Sequence, residues 1–157
     1  MTRPKILSRT PPSAVSAATI VTSRLTLQPP GQGFVDITHE VAGFVDEIGA
    51  KEGTVTLFIR HTSASVTIQE NADPSVLSDL STVLANLAPE QAKWTHKAEG
   101  PDDMPAHVKA MLTTTSLQIP VLQGELMLGT WQAIYLIEHR SLPHNREIVL
   151  QFIGITK

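Results

Sequence analysis

No cysteine occurs among the 157 residues. That removes disulfide frameworks, thiolate-bound zinc and thiol nucleophiles, and it is compatible with a reducing compartment. No apolar run approaches the roughly 20 residues that span a bilayer, and the first 18 residues lack the central apolar block of a secretory signal. Basic charge is scarce as well. The net charge is -3, and because Arg3, Lys5 and Arg9 fall in the acid-free stretch 1–18, the remainder holds 9 basic against 15 acidic residues, or -6. Such a body does not attract nucleic acid electrostatically. These absences point to a cytoplasmic protein with no nucleic-acid and no membrane partner, whose chemistry must come from His, Asp, Glu, Ser and Arg.

What is present suffices for one self-supporting core, since a chain of this length can bury roughly 70% of its unfolded surface. Residues 1–18, MTRPKILSRTPPSAVSAA, have little apolar period and read as a flexible basic extension. Their Arg and Ser content weakly resembles an organellar transit peptide, though a plain tail is the preferred reading. The domain is expected over 19–157. TIVTSRLTLQ from Thr19 reads as a strand ended by PPGQG. Phe34 to Ile48 shows helical spacing, with Thr38 as N-cap if Phe34 to Ile37 is a short strand.

TVTLFIR, Thr54 to Arg60, places Val55, Leu57 and Ile59 on one face. In the following HTSASVTIQEN the apolar set is Ala64, Val66 and Ile68, so the buried parity changes from odd to even. A bulge, bend or turn must therefore lie within His61 to Ser65. DPSVLSDLSTVLANLAP predicts a helix with Asp73 as N-cap, Pro74 at the first position, and Val76, Leu80, Val83, Leu84 and Leu87 in one stripe. A shorter helix is expected over Ala106 to Thr113, then an apolar run Leu117 to Leu122 and a turn at Gly124. Two long β-type runs, ELMLGTWQAIYLIEHR and REIVLQFIGIT, close the sequence. With six or seven strands, two or three helices and no repeating βαβ unit, the fold class is α+β with a mainly antiparallel sheet.

Four polar constellations stand out. In HTSAS, an extended backbone puts His61, Ser63 and Ser65 on one side and Thr62 on the other. The cluster either binds phosphate or orients a substrate, or it is a polar bulge whose hydroxyls satisfy its own backbone; no Gly-x-Ser-x-Gly elbow supports a serine nucleophile. In QENADP, Asp73 and Asn71 suit a helix start, which also offers free N–H groups to an anion, while Glu70 at the core edge is either an acid–base or ligand carboxylate near His61 or a plain surface residue. In WTHKAEGPDDMPAH, His96, Glu99, Asp102, Asp103 and His107 are of the right type for a divalent metal, although their spacing matches no strict signature. Helix-start chemistry competes for Pro105 and one aspartate; one cap needs one carboxylate, and Asp103 with His107 is the pair assigned to a site. In GTWQAIYLIEHR, Gln132, Ile134, Leu136, Glu138 and Arg140 share a strand face, but Gln132 and Glu138 lie about 20 Å apart along it. Either only one of them is functional, or an oligomer brings strand ends from different subunits together. Otherwise Trp131 is core and Glu138 with Arg140 a solvated pair.

HTSASVTIQENADP, EGPDDMPAHVKAML and GTWQAIYLIEHR, in this order, resemble the YjbQ family of secondary thiamine-phosphate synthases over residues 19 to 157. The resemblance implies a small α+β homotrimer joining a pyrimidine pyrophosphate to a thiazole phosphate, with release of pyrophosphate. Its polar pattern falls on His61, Thr62, Ser63, Ser65, Glu70, Asn71 and Asp73, then His96, Glu99, Gly100, Asp103 and His107, then Gly129, Trp131, Gln132, Glu138 and Arg140. Lys97 and the basic extension depart from it.

From this follow the expected roles. His61, Ser63, Glu70 and Glu138 are catalytic candidates. Thr62, Ser65, Asn71, Asp73, Glu99, Trp131, Gln132 and Arg140 are substrate contacts. His96, Asp103 and His107 are ligands of a divalent metal, Mg or Zn, which would offset the charge of a phosphorylated substrate where the motifs hold few lysines. A different metal-dependent reaction on a phosphorylated metabolite, and a non-catalytic trimer that binds a metabolite or metal, are the alternatives.

Overall fold

The computed structural model describes residues 8–157. The expected extension thus lies partly outside the described residues; within it, residues 8–18 carry no helix or strand and are exposed. The elements are β1 (Thr19–Leu27), β2 (Gly33–Asp36), α1 (Thr38–Glu47), β3 (Ala50–Ile59), β4 (Ala64–Glu70), α2 (Pro74–Leu87), α3 (Asp103–Leu112), β5 (Ser116–Leu122), β6 (Glu125–Leu126), β7 (Gln132–Glu138) and β8 (Arg146–Thr156). The fold is α+β. A five-stranded sheet runs β1-β8-β3-β5-β6 and a three-stranded sheet β2-β7-β4, with all pairs antiparallel. No helix among the described residues is long and apolar enough to cross a membrane.

The core lies where the two sheets and α1 meet. β3 contributes Val55, Leu57 and Ile59, β8 contributes Ile148, Leu150 and Phe152, β4 and β7 add Val66, Ile134 and Leu136, and α1 turns Val41, Phe44 and Val45 inward. Each such side chain is worth about 1.5–3 kcal/mol when taken out of water. The parity change at HTSAS has a structural cause: β3 and β4 belong to different sheets, and residues 60–63 carry the chain round the corner between them. Even-numbered β4 residues therefore face the core, and Ser65 faces the other way, toward α3.

Three expectations change. Thr38 is not an N-cap; it is the first helical residue, and its N–H donates to Asp36 Oδ1 at 2.8 Å. The single run ELMLGTWQAIYLIEHR is broken into β6 and β7, because residues 127–131 leave the sheet and Gln132 Oε1 accepts from the Gly129 amide at 2.7 Å. Asp73 caps α2 as expected, accepting from the Ser75 N–H at 2.9 Å, but no residue of α2 is buried. Val83 and Leu87 are 51% and 59% exposed while Val76, Leu80 and Leu84 are half-buried, so the apolar stripe of this helix is only partly covered among the described residues.

Candidate metal centre

The loop before α3 and its first two turns gather the central residues. Asp103 is 2% exposed and is reached from three sides: Arg140 Nη1 at 2.6 Å from Oδ1, and His96 Nε2 at 2.7 Å and His107 Nε2 at 3.4 Å from Oδ2. The i, i+4 spacing of Asp103 and His107 stacks them on one helix face. One ligand atom each from His96, Asp103 and His107 falls within 4.8 Å of the others. His107 Nδ1 lies 3.0 Å from the Thr62 carbonyl. A carbonyl only accepts, so Nδ1 carries the proton, and neutral His107 turns a bare Nε2 lone pair toward the carboxylate. A proton on Nε2 or a bound cation would equally bridge these two atoms, which lie 3.4 Å apart. A backbone carbonyl that fixes the tautomer is the usual support of a metal-binding imidazole.

Neither aspartate caps α3 through its side chain. Asp102 stands at the cap position, yet its Oδ2 takes Arg140 Nε at 3.1 Å and the Ser141 N–H at 2.8 Å. The doublet DD is therefore explained by Arg140, which grips both carboxylates. Burial pushes the Asp102 carboxyl up, but the Ser141 amide and the Arg140 guanidinium outweigh it and hold it below the usual carboxylate value. For Arg140, burial works downward and Asp102, Asp103 and Glu99 raise its pKa further. Its Nη2 also donates to the Glu99 carbonyl at 2.7 Å. Of the five guanidinium N–H donors at most one is left for a ligand. Glu99 thus enters through its backbone. Gly100, at φ +108°, makes the turn that aims this carbonyl.

The other residues singled out from sequence are distributed over the rest of the molecule. Glu138 is 1% exposed, and both its oxygens are bound by Arg146, Nε at 2.6 Å and Nη2 at 2.5 Å; it also takes the Arg140 N–H at 2.9 Å. It is no solvated pair with Arg140. Arg146 Nη2 reaches the Ser63 carbonyl at 3.2 Å. His61 Nε2 accepts the Glu147 N–H at 2.8 Å, and burial followed by the Arg146 charge lowers its pKa. His61, Thr62 and Ser63 line a cleft beside Arg60 and Thr115. Glu70, Trp131 and Gln132 line another at the far end of β4 and β7, about 20 Å along the strand from Glu138. Trp131 is 63% exposed, so it is not core. Asn71 and Asp73 shape the start of α2, where the Asn71 N–H donates to the Trp131 carbonyl at 3.1 Å.

Ser65 is fully buried, 2.8 Å from His139 Nε2 and 2.7 Å from Thr113 Oγ1. His139, Thr113, Lys109 and Arg146 were not singled out from sequence. For Arg146 a signal existed, since it continues the inward parity of Ile148, Leu150 and Phe152. Burial, then the charges of Lys109 and Arg146, push the His139 pKa down to about 3 from 6.5. Between these values the unfolded chain binds a proton that the folded chain refuses, so this stabilisation is complete above pH 6.5 and is lost as pH falls toward about 3. The expected slope is up to about 1.4 kcal/mol per pH unit. Urea midpoints should fall accordingly, and His139→Gln should flatten the dependence; an unchanged slope in that variant would refute the assignment.

The profile of the family described as UPF0047 protein YjbQ-like matches residues 23–155. A UPF0047 protein of Synechocystis is 46% identical over 131 residues, 83% of this chain and 89% of the relative. The UPF0047 protein YjbQ of Escherichia coli O157:H7 is 38% identical over 131 residues, 83% of this chain and 95% of its own. The crystal structure of an uncharacterised YjbQ/UPF0047 protein from Clostridium acetobutylicum superposes with a TM-score of 0.74 at 38% identity, covering 85% of this chain and 99% of that one.

Proposed function

Because the chain belongs to the YjbQ-like UPF0047 family, we propose that His96, Asp103 and His107 hold a divalent cation that serves a reaction on phosphorylated small molecules. The reaction is of the thiamine-phosphate synthase type. The observation that carries this reading is the convergence of the three ligand atoms within 4.8 Å, with His107 oriented by the Thr62 carbonyl. Two imidazoles and one carboxylate suit a borderline ion such as zinc better than magnesium, and three protein ligands leave a position open. When bound, the cation supplies the positive charge that a diphosphate leaving group needs among these carboxylates.

The protein's own residues do the rest. Arg140 holds Asp103 by Oδ1 and so directs Oδ2 at the histidines. Glu138 is a positioning residue, fixing the Arg140 amide and, through Arg146, the corner at Ser63. In the transfer, a bond from the pyrimidine carbon to the diphosphate breaks, its electron pair leaves with pyrophosphate, and a bond to the thiazole forms. His61 and Glu70 are assigned to proton work, with Thr62, Ser63, Asn71, Trp131 and Gln132 as substrate contacts. Residues 19–157 are the working unit and 1–18 an appended extension.

Those contacts lie at both ends of β7, so a single site requires chains to assemble, and the exposed Val83 and Leu87 of α2 support a homotrimer. Light scattering should give the mass of three chains, and Leu87→Glu should release smaller species. A monomeric wild type would end that part of the reading. The central experiment measures bound metal and pyrophosphate release from the two phosphorylated substrates, before and after chelation. Turnover should stop with chelator, return with zinc, and be absent in His107→Ala that remains folded. Metal binding without turnover would favour a metabolite-binding role or another reaction instead.

A further inference from the structure

A cavity of about 180 Å³ opens between β2, α2, α3 and the end of β7. It is lined by Lys109, His139, Gln32, Ser81 and the buried Glu138, among others. Lys109 and His107 are two residues apart on α3, so at about 100° per residue they leave the helix in nearly opposite directions. The cavity therefore stands on the far side of α3 from the metal ligands. Lys109 is only 6% exposed, and its ammonium makes no hydrogen bond or close ion pair among the described residues, the charges of Glu90 and Asp102 acting on it from farther off. The Glu138 carboxylate cannot answer it, since Arg146 takes both oxygens.

The state of His139 follows from counting protons. Thr113 Oγ1 lies 2.7 Å from the Lys109 carbonyl and 2.7 Å from Ser65 Oγ, and Ser65 Oγ lies 2.8 Å from His139 Nε2. The carbonyl only accepts, so the Thr113 hydroxyl donates to it. Ser65 must then donate to Thr113, and His139 Nε2–H to Ser65. Three contacts use three protons, and neutral His139 is left with a bare acceptor at Nδ1. No enclosed side-chain nitrogen or oxygen among the described residues lacks a hydrogen bond. Nδ1 and the Lys109 ammonium, neither of which has a protein partner, hence both touch accessible space, and this cavity is the space that the two residues line together.

We propose that the cavity binds a small oxyanion that still carries a proton, with hydrogen phosphate as the fitting probe. Lys109 supplies the charge and His139 Nδ1 accepts the P–OH. A volume of about 180 Å³ leaves room for inorganic phosphate or a terminal phosphate group. Sulfate, which carries no proton at neutral pH, meets two opposed lone pairs at Nδ1 and is discriminated against.

The test uses the full chain stripped of metal with EDTA, titrated at neutral pH by calorimetry with phosphate and, separately, with sulfate. Phosphate should bind saturably, sulfate about tenfold more weakly or worse, and Lys109→Met should lose at least about tenfold in phosphate affinity. Lys109→Gln serves as a second uncharged variant, and circular dichroism verifies that both fold. His107→Ala should bind phosphate as the wild type does, so failure of the metal reading leaves this site standing and the reverse. Absence of phosphate binding, or folded Lys109 variants that bind it undiminished, would overturn the site. Equal affinity for sulfate would overturn the part given to His139.

Discussion

Asp103→Asn should lower zinc affinity by more than about 100-fold, because even changes one shell away from a metal commonly cost 10–100-fold, and turnover should fall with it. The carboxylate lies between Arg140 at 2.6 Å and His96 at 2.7 Å. An amide can present an oxygen to only one of these neighbours and must turn its NH2 toward the other. Either orientation removes the negative charge that a cation and the guanidinium both face. Arg140 keeps Asp102 as a partner, so the fold should lose only about 1–3 kcal/mol. Competition against a chelator of known affinity measures the first effect and denaturant melting the second. Wild-type zinc affinity in the folded variant would remove Asp103 from the site.

The second large effect concerns stability. Arg146→Met leaves Glu138, 1% exposed, without the guanidinium that binds both of its oxygens. Breaking one side of a buried ion pair costs about 3–5 kcal/mol. For a chain of this size about 2–4 °C is lost per kcal/mol, so the melting temperature should drop by about 6–20 °C at matched protein concentration. Replacing both partners, Glu138→Leu with Arg146→Met, should recover most of the loss, since no lone charge then remains buried. A single variant that melts with the wild type would mean the pair is hydrated.

Most of the architecture was legible because it rests on local rules. The parity change at His61 to Ser65 required an irregularity, and the corner between two sheets supplies it. The cap at Asp73 followed from Pro74 and the apolar stripe behind it, but what that stripe packs against is not a local property, and α2 shows nothing buried. His96, Asp103 and His107 are suggested by residue type and by the YjbQ resemblance, and their ligand atoms lie within 4.8 Å of one another. The doublet at Asp102 and Asp103 misled because cap chemistry and guanidinium binding call for the same residue, and the deciding partner, Arg140, lies 37 positions away from Asp103. Glu138 and Arg146 sit on buried parities of β7 and β8, where an acid and a base are affordable only together. Lys109 gave no pattern, since a lone lysine in a helix is ordinarily solvated.

The place of β8 has a consequence for how the chain is made. This strand sits between β1 and β3, yet follows every other described strand. Between the end of β1 at Leu27 and the start of β8 at Arg146 a ribosome adds about 120 residues, which takes on the order of ten seconds at 5–20 residues per second. Until then β1 has no neighbour in its sheet, β3 offers an open edge, and Glu138 waits for its counter-charge. The emerging polypeptide therefore passes through a long interval with unpaired apolar strand edges, when it is most open to pairing with other chains.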